Sequence, residues 1–162
     1  MRRQFTETIS QIFKEDKKTI MLLGDIGVFS FRDLFKKYPK RIYNIGILEQ
    51  SMISLAAGLS NEGLKPIVHT IAPFIVSRAL EQLKIDFGYN KLNGNFVSIG
   101  ASYDYASLGC THHCPEDINL MYNIPNMQII VPGNSHEFDR IFSECYMKNL
   151  PKYFRLSSEE NK

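Results

Sequence analysis

Apolar and polar residues follow one another along this chain with two alternating periods. Across residues 3–14, Phe5, Ile9, Ile12 and Phe13 recur every three or four positions, the spacing that places them on one face of a helix. Residues 19–24 (TIMLLG) form a short, unbroken apolar run closed by glycine, which predicts a buried strand. The two signatures then take turns. A helix is expected over 31–37, a strand over 41–46 (RIYNIG), and a helix opened by Glu49 that is apolar on nearly all sides. A strand over 65–71 leads into one long helix, 74–89, carrying Phe74, Val76, Leu80, Leu83 and Phe87. LNGN (92–95) is turn chemistry. The rest reads as a strand at 96–101, a loop at 102–114, a short helix at 116–122, a strand at 127–132, a helix at 135–148 and a last strand at 152–157.

Strands that are continuously apolar have both faces covered. Alternation of such strands with helices therefore predicts an α/β fold: a three-layer α/β/α sandwich around a mostly parallel sheet of about six strands, as one domain over 1–162. Ligands of such sheets sit at the carboxyl ends of the strands. Those ends are Asp25, the 46–49 turn, residues 69–74, the 102–114 loop and residues 132–135, and the polar and unusual residues gather there.

Composition narrows the function classes. Apolar residues make up 44% and charged residues 22%, and the net charge is +2 with the basic residues scattered, which argues against a nucleic-acid or charged-membrane partner. No apolar run approaches a membrane span, and the N-terminus has no continuous apolar signal region. Three cysteines without a disulfide-framework spacing point to a reducing compartment. The expectation is a cytoplasmic protein.

Each candidate for chemistry has a plainer alternative. Glu49 in a helical first turn is favoured by the exposed N–H groups there, or it meets a ligand nitrogen with which it shares a proton, Gly46 letting that ligand approach the backbone. A charge at the mouth of an apolar helix needs a partner in either case. The loop SYDYASLGCTHHCPEDI holds Cys110, His112, His113 and Cys114, but four ligands within five residues are hard to aim at one tetrahedral zinc. A histidine presented to a pocket as proton donor or acceptor fits better, against a solvated loop histidine. Phe74 reads as core packing and Arg78 as a surface or paired charge, and Asp25 as a turn cap or a cofactor contact. The chain has no Gly-rich dinucleotide or P-loop motif and no serine-hydrolase elbow.

Two segments carry a resemblance. YNIGILEQSMISLAAGLSNEGLKPIVHTIAPF and LGCTHHCPEDINLMYNIPNMQIIVPGNSHEF are similar to the pyrimidine-binding (Pyr) domain of the transketolase family, which includes deoxyxylulose-phosphate synthase and split two-subunit transketolases. The similarity runs from about Leu22 to Leu156. It implies that Glu49 hydrogen-bonds the pyrimidine nitrogen N1′ of thiamine diphosphate and favours the imino ring form, whose nitrogen takes the C2 proton. It implies that Phe74 is the aromatic platform for that ring, that Asp25 and Gly46 lie at the cofactor, and that His112 faces a small sugar substrate. His113 gains no role.

Departures from the family pattern fall on the substrate side. Leu108 stands where relatives often carry a sugar-binding aspartate, Gly100 where a phosphate-binding histidine falls, and Ser158 near an expected arginine. Arg78 or Arg155 could substitute in substrate binding. The family's diphosphate and Mg²⁺ signature, G-D-G followed by N-N, is absent, and SSEENK stands where the family's linker to a further domain begins. The resemblance therefore implies one subunit of a split enzyme, or a fragment, that needs a diphosphate-binding (PP) domain subunit to hold Mg²⁺. The expected assembly is a homodimer or heterotetramer, and the expected function a transketolase-type transferase. The alternative is a non-catalytic Pyr-fold subunit kept for assembly or regulation.

Overall fold

In a computed structural model, residues 1–158 are described, and they form a six-stranded sheet flanked by helices on both faces. Residues 159–162 of the polar tail lie outside the described residues. The elements are α1 (Arg2–Glu15), β1 (Thr19–Leu23), α2 (Arg32–Lys37), β2 (Ile42–Asn44), α3 (Glu49–Asn61), β3 (Lys65–Ile71), α4 (Ala72–Val76) and α5 (Leu80–Gln82). A π-helix (Leu83–Tyr89) follows, then β4 (Gly94–Ile99), two 3₁₀ turns (Ala106–Leu108 and Cys110–His112), α6 (Asp117–Tyr122), β5 (Gln128–Ile130), α7 (Ser135–Cys145) and β6 (Pro151–Arg155).

Strand order is β2-β1-β3-β4-β6-β5, and every neighbouring pair is parallel. Successive strand residues point to opposite faces. Leu22, Val68, Phe96 and Tyr153 face a layer built from α3, α4, the π-helix and α6, where they meet Met52, Ile53, Ile75 and Phe87. Met21, Leu23, Ile67, Val97 and Phe154 face α1, α2 and α7, where they meet Phe5, Ile9, Leu34 and Phe138. The chain leaves β1 toward β2, then returns to place β3 on β1's other side. The connections thus diverge above β1 and β3, opening a crevice at their carboxyl ends.

The long helix expected over 74–89 is instead α4, a turn, α5 and a π-helix. Apolar spacing counts which side chains face inward and is blind to a one-residue change in the backbone ladder, so it fits both arrangements. α3 buries Glu49, Met52, Ile53, Ala56 and Ala57, but Gln50, Ser51, Ser54 and Leu55 are exposed, so it is half-buried rather than enclosed. Gly94 and Asn95, expected in a turn, open β4, because Gly94 is required by packing. A Cβ there would come 2.5 Å from Phe87 Cε1 and 2.7 Å from Phe96 Cζ. Those rings are buried and meet edge to face, so neither can yield.

Gly94→Ala should therefore destabilise the protein by about 1–3 kcal/mol, the cost of forcing one extra methyl into a filled core. Urea denaturation at neutral pH measures it, and a midpoint equal to wild type would contradict the packing described.

Candidate active site

Glu49 is the first residue of α3, and its carboxylate is buried. Two side chains hold it. Thr70 Oγ1, at the end of β3, donates to Oε1 at 3.1 Å. Arg78 Nη1, from the turn after α4, donates to Oε2 at 2.6 Å in an ion pair. The Arg78 guanidinium also lies 4.2 Å above the centre of the Phe74 ring. Thr70 reaches Glu49 because Gly24 leaves room: a Cβ on Gly24 would come within 2.9 Å of Thr70 Cβ and Oγ1. An ionised carboxylate has about four acceptor sites. Two are filled here, so each oxygen keeps acceptor capacity.

A pocket of about 210 Å³ opens on Glu49, lined also by Gly24, Asp25, Ile26, Ile47, Ile71, Phe74 and His112. It lies at the carboxyl ends of β1 and β3, where the connections diverge. The structure thus brings together Asp25, Glu49, Phe74 and His112 around one apolar space. Gly46 is close by in the turn before α3, in the left-handed region at φ +82° with open space where a Cβ would stand, so backbone conformation and not crowding calls for glycine. Arg78, offered to the substrate by sequence reasoning, has its guanidinium on Glu49. With 35% of its side chain exposed, its outer side borders a separate groove with Gln50, Glu81 and Lys84.

The β1 and β2 ends are tied by a residue that sequence reasoning passed over. Asn44 Oδ1 accepts from the Asp25 and Gly46 amides at 3.0 and 3.2 Å, and its Nδ2 donates to Asp25 Oδ1 at 2.9 Å. Asp25 itself is held at φ +55°. Thr70 was passed over too. A lone hydroxyl in the otherwise apolar end of β3 was the available signal for it, and an asparagine two residues before a glycine was the signal for Asn44.

His112 lies in a 3₁₀ turn of the 102–114 loop with its ring edge-on to Phe74, centroids 5.2 Å apart. Thr111 Oγ1 is 3.0 Å from His112 Nδ1, which leaves Nε2 without a partner among the described residues. His113 turns away, its ring against Tyr103 and its Nε2 3.3 Å from the Ala106 carbonyl. Cys114 is buried, and burial, with Asp117 and Glu116 nearby, pushes its thiol up to about 12, far from a reactive thiolate. Among the described residues, no group of three or more His, Cys, Asp or Glu side chains is placed to hold a metal ion. Nor is any described helix long and apolar enough to cross a membrane.

His69, at the end of β3, is outside the pocket. It is buried against Phe5, with Nδ1 2.8 Å from the Val97 carbonyl, and burial depresses it from 6.5 to about 4. Ile47, which lines the pocket, is exposed, as are its neighbour Leu48 and, after β1, Phe29.

The family described as "Transketolase, pyrimidine binding domain" matches residues 1–162. An uncharacterized 33.6 kDa protein in the fasciation locus of Rhodococcoides fascians is 37% identical over 158 residues, 98% of this chain and 51% of that protein. An apulose-4-phosphate transketolase subunit of Actinobacillus succinogenes is 37% identical over 125 residues, 77% of this chain and 40% of that protein. Among solved structures, a split-gene transketolase described as an inactive β4 tetramer superposes with a TM-score of 0.86 at 30% identity, covering 99% of this chain and 52% of that one. The chain therefore spans about half the length of these three proteins.

Two expectations follow. Arg78→Gln leaves a buried carboxylate without its cation. It should cost about 3 kcal/mol, the low end for breaking a buried pair because water reaches Arg78, and Glu49→Gln in the same chain should recover part of that loss in a double-mutant cycle read by urea unfolding. For His69, the unfolded chain takes up a proton below pH 6.5 while the folded ring stays neutral until about 4. Its contribution is thus complete above pH 6.5 and declines as pH falls toward 4, by roughly 2–3 kcal/mol. His69→Gln should flatten that part of the stability–pH curve; an unchanged slope would assign the acid sensitivity to other groups.

Proposed function

Because the chain belongs to the transketolase pyrimidine-binding domain family, we propose that it is the cofactor-activating component of a thiamine-diphosphate-dependent, transketolase-type transferase acting on a sugar or related ketose and aldehyde. The observation that carries this reading is a buried carboxylate with acceptor capacity left, opening on a pocket walled by an aromatic ring and an imidazole. The pocket has room for one heterocyclic ring, about seven waters at ~30 Å³ each. It has none for a whole diphosphate-bearing cofactor. The residues present fit the aminopyrimidine end of thiamine diphosphate and do not fit its diphosphate and Mg²⁺, since no cluster of metal-ligating side chains is found among the described residues. The other end falls to a second chain carrying a diphosphate-binding domain, and the exposed Ile47 in the pocket wall, with Leu48 exposed beside it in sequence, suits such a contact.

When bound, the cofactor supplies an electron sink for making and breaking carbon–carbon bonds beside a carbonyl. Glu49 accepts a hydrogen bond from a ring nitrogen and shares its proton, a strong bond in a site that water leaves. Thr70 and Arg78 hold the carboxylate in one orientation before any ligand arrives, so no reorganisation is needed at the moment of reaction. Phe74 covers one face of the ring, and Ile26, Ile47 and Ile71 keep water from it. Asp25 and Gly46, tied through Asn44, shape the β1 side of the ring's seat. His112, with Nδ1 engaged by Thr111, turns Nε2 to a substrate proton. Arg78 works on Glu49 and not on substrate in this reading.

The substrate side departs from the family pattern in a way that keeps the non-catalytic alternative in view. Leu108 is exposed, and the Tyr105 ring fills the space over Gly100, where a Cβ would be 2.5 Å from it. Reconstitution of this chain with a candidate diphosphate-domain subunit, thiamine diphosphate and Mg²⁺ against a panel of ketoses and aldehydes separates the two. Turnover that needs both chains is expected, and tight assembly without turnover on any substrate supports the scaffold instead. In the assembled enzyme, Glu49→Gln should lower kcat on the order of 10²–10⁴-fold; near-normal turnover would remove Glu49 from the chemistry.

A further inference from the structure

The loop that carries His112 is held at its neck by residues from a distant part of the chain. Ser102 and Cys114 pair antiparallel across its base, the Cys114 amide donating to the Ser102 carbonyl at 2.9 Å, with Ser102 held at φ +51°. Arg155, the last residue of β6, reaches this neck with two donors of one guanidinium. Its Nη2 donates to Ser102 Oγ at 2.5 Å, and its Nε donates to Asp117 Oδ2 at 2.6 Å. Asp117 opens α6 on the far side of the loop. Its buried carboxylate also takes Tyr153 OH at 3.0 Å on Oδ2 and the Ile118 amide at 2.9 Å on Oδ1. Tyr153 OH accepts in turn from Ser98 Oγ in β4 at 2.9 Å. A second tie lies just beyond: Asp104, inside the loop, accepts from Ser157 Oγ at 3.2 Å and from the Ser158 amide at 2.8 Å.

We propose that Arg155 is a positioning residue, which with Asp117 and Ser102 fixes the 102–114 loop, and with it His112, to the end of β6. The inference rests on the reading of His112 as the group that works on substrate. A planar guanidinium suits the task because one rigid fork can bridge two acceptors, where an ammonium offers a single point charge. The same commitment withdraws Arg155 from substrate binding. Two of its donors are committed inside the protein and only 15% of its side chain is exposed, which leaves little of its charge facing a phosphate. The segment leaving β6 is thereby coupled to the pocket. A displacement of residues 155–158, by whatever chain or partner contacts them, is passed to the loop through two hydrogen-bonded ties.

Hydrogen exchange on the whole chain tests this without reference to activity. Arg155→Lys keeps a charge against Asp117 but cannot span both acceptors, and Ser102→Ala keeps the Arg155–Asp117 pair intact while cutting only its link to the neck. In each, amides of 102–114 should exchange roughly 10- to 100-fold faster, with α3 and β4 unchanged, and the His112 ring resonances should shift. Loop amides that exchange as in wild type, or a uniform loosening of the whole fold, would overturn the proposal. In the reconstituted enzyme, Arg155→Lys should lower kcat about tenfold or more, and adding His112→Ala should cost little beyond His112→Ala alone. Faster loop exchange with unchanged turnover would leave the tie standing and sink the reading of His112.

Discussion

A carboxylate buried at the start of a helix has to be compensated, and much of the pocket's construction answers that demand. The first-turn amides of α3 favour an anion there but do not by themselves satisfy it. Arg78 brings the opposite charge and Thr70 a hydroxyl, from two elements that meet only because β1 and β3 run side by side and end together. The compensation is incomplete in acceptor count, and that shortfall distinguishes a waiting site from a closed structural ion pair. A pair sealed on all sides would have nothing left to offer a ligand; this one faces an apolar space edged by Phe74 and His112.

Two arginines near the pocket take parallel parts. Arg78 ends on Glu49 and Arg155 on Asp117, each carboxylate buried and each contact 2.6 Å. One pair addresses the side where a cofactor ring is proposed to sit, the other the loop that carries His112. Each is paired with a buried carboxylate, so in the proposed function neither is the residue assigned to an anionic group on the substrate. The family's polar contacts are missing at Leu108 and Gly100 in the same region, and the aromatic Tyr105 has taken the place over Gly100.

The architecture was legible in the chain because strands covered on both faces leave mostly apolar runs, as in β1, β3 and β4, and these alternate with helical spacing. Glu49, Phe74 and His112 were legible through motifs at the strand ends, and the pocket gathers them. What escaped has physical causes. The widened turn at Leu83–Tyr89 still buries Leu83 and Phe87, a pair four apart that an α-helix would also turn inward, so apolar spacing does not record it. Gly94 looks like a turn residue because glycine has two unrelated uses, conformational freedom and the absence of a side chain, and only packing tells them apart. Arg78 reads in the sequence as a surface or paired charge with a place at the substrate. Which carboxylate a long side chain reaches depends on a contact between elements 29 residues apart, and local spacing does not encode it.

Gly24 carries a consequence for how this site tolerates change. It lines the pocket without a side chain of its own, and a methyl at that position would stand 2.9 Å from Thr70 Cβ and Oγ1, so the hydroxyl beside Glu49 would have to shift. The region most sensitive to alteration is then a void: the site is maintained by something left out. By the same physics, Ile26 or Ile71 should tolerate another apolar residue of similar bulk more readily than Gly24 tolerates any side chain.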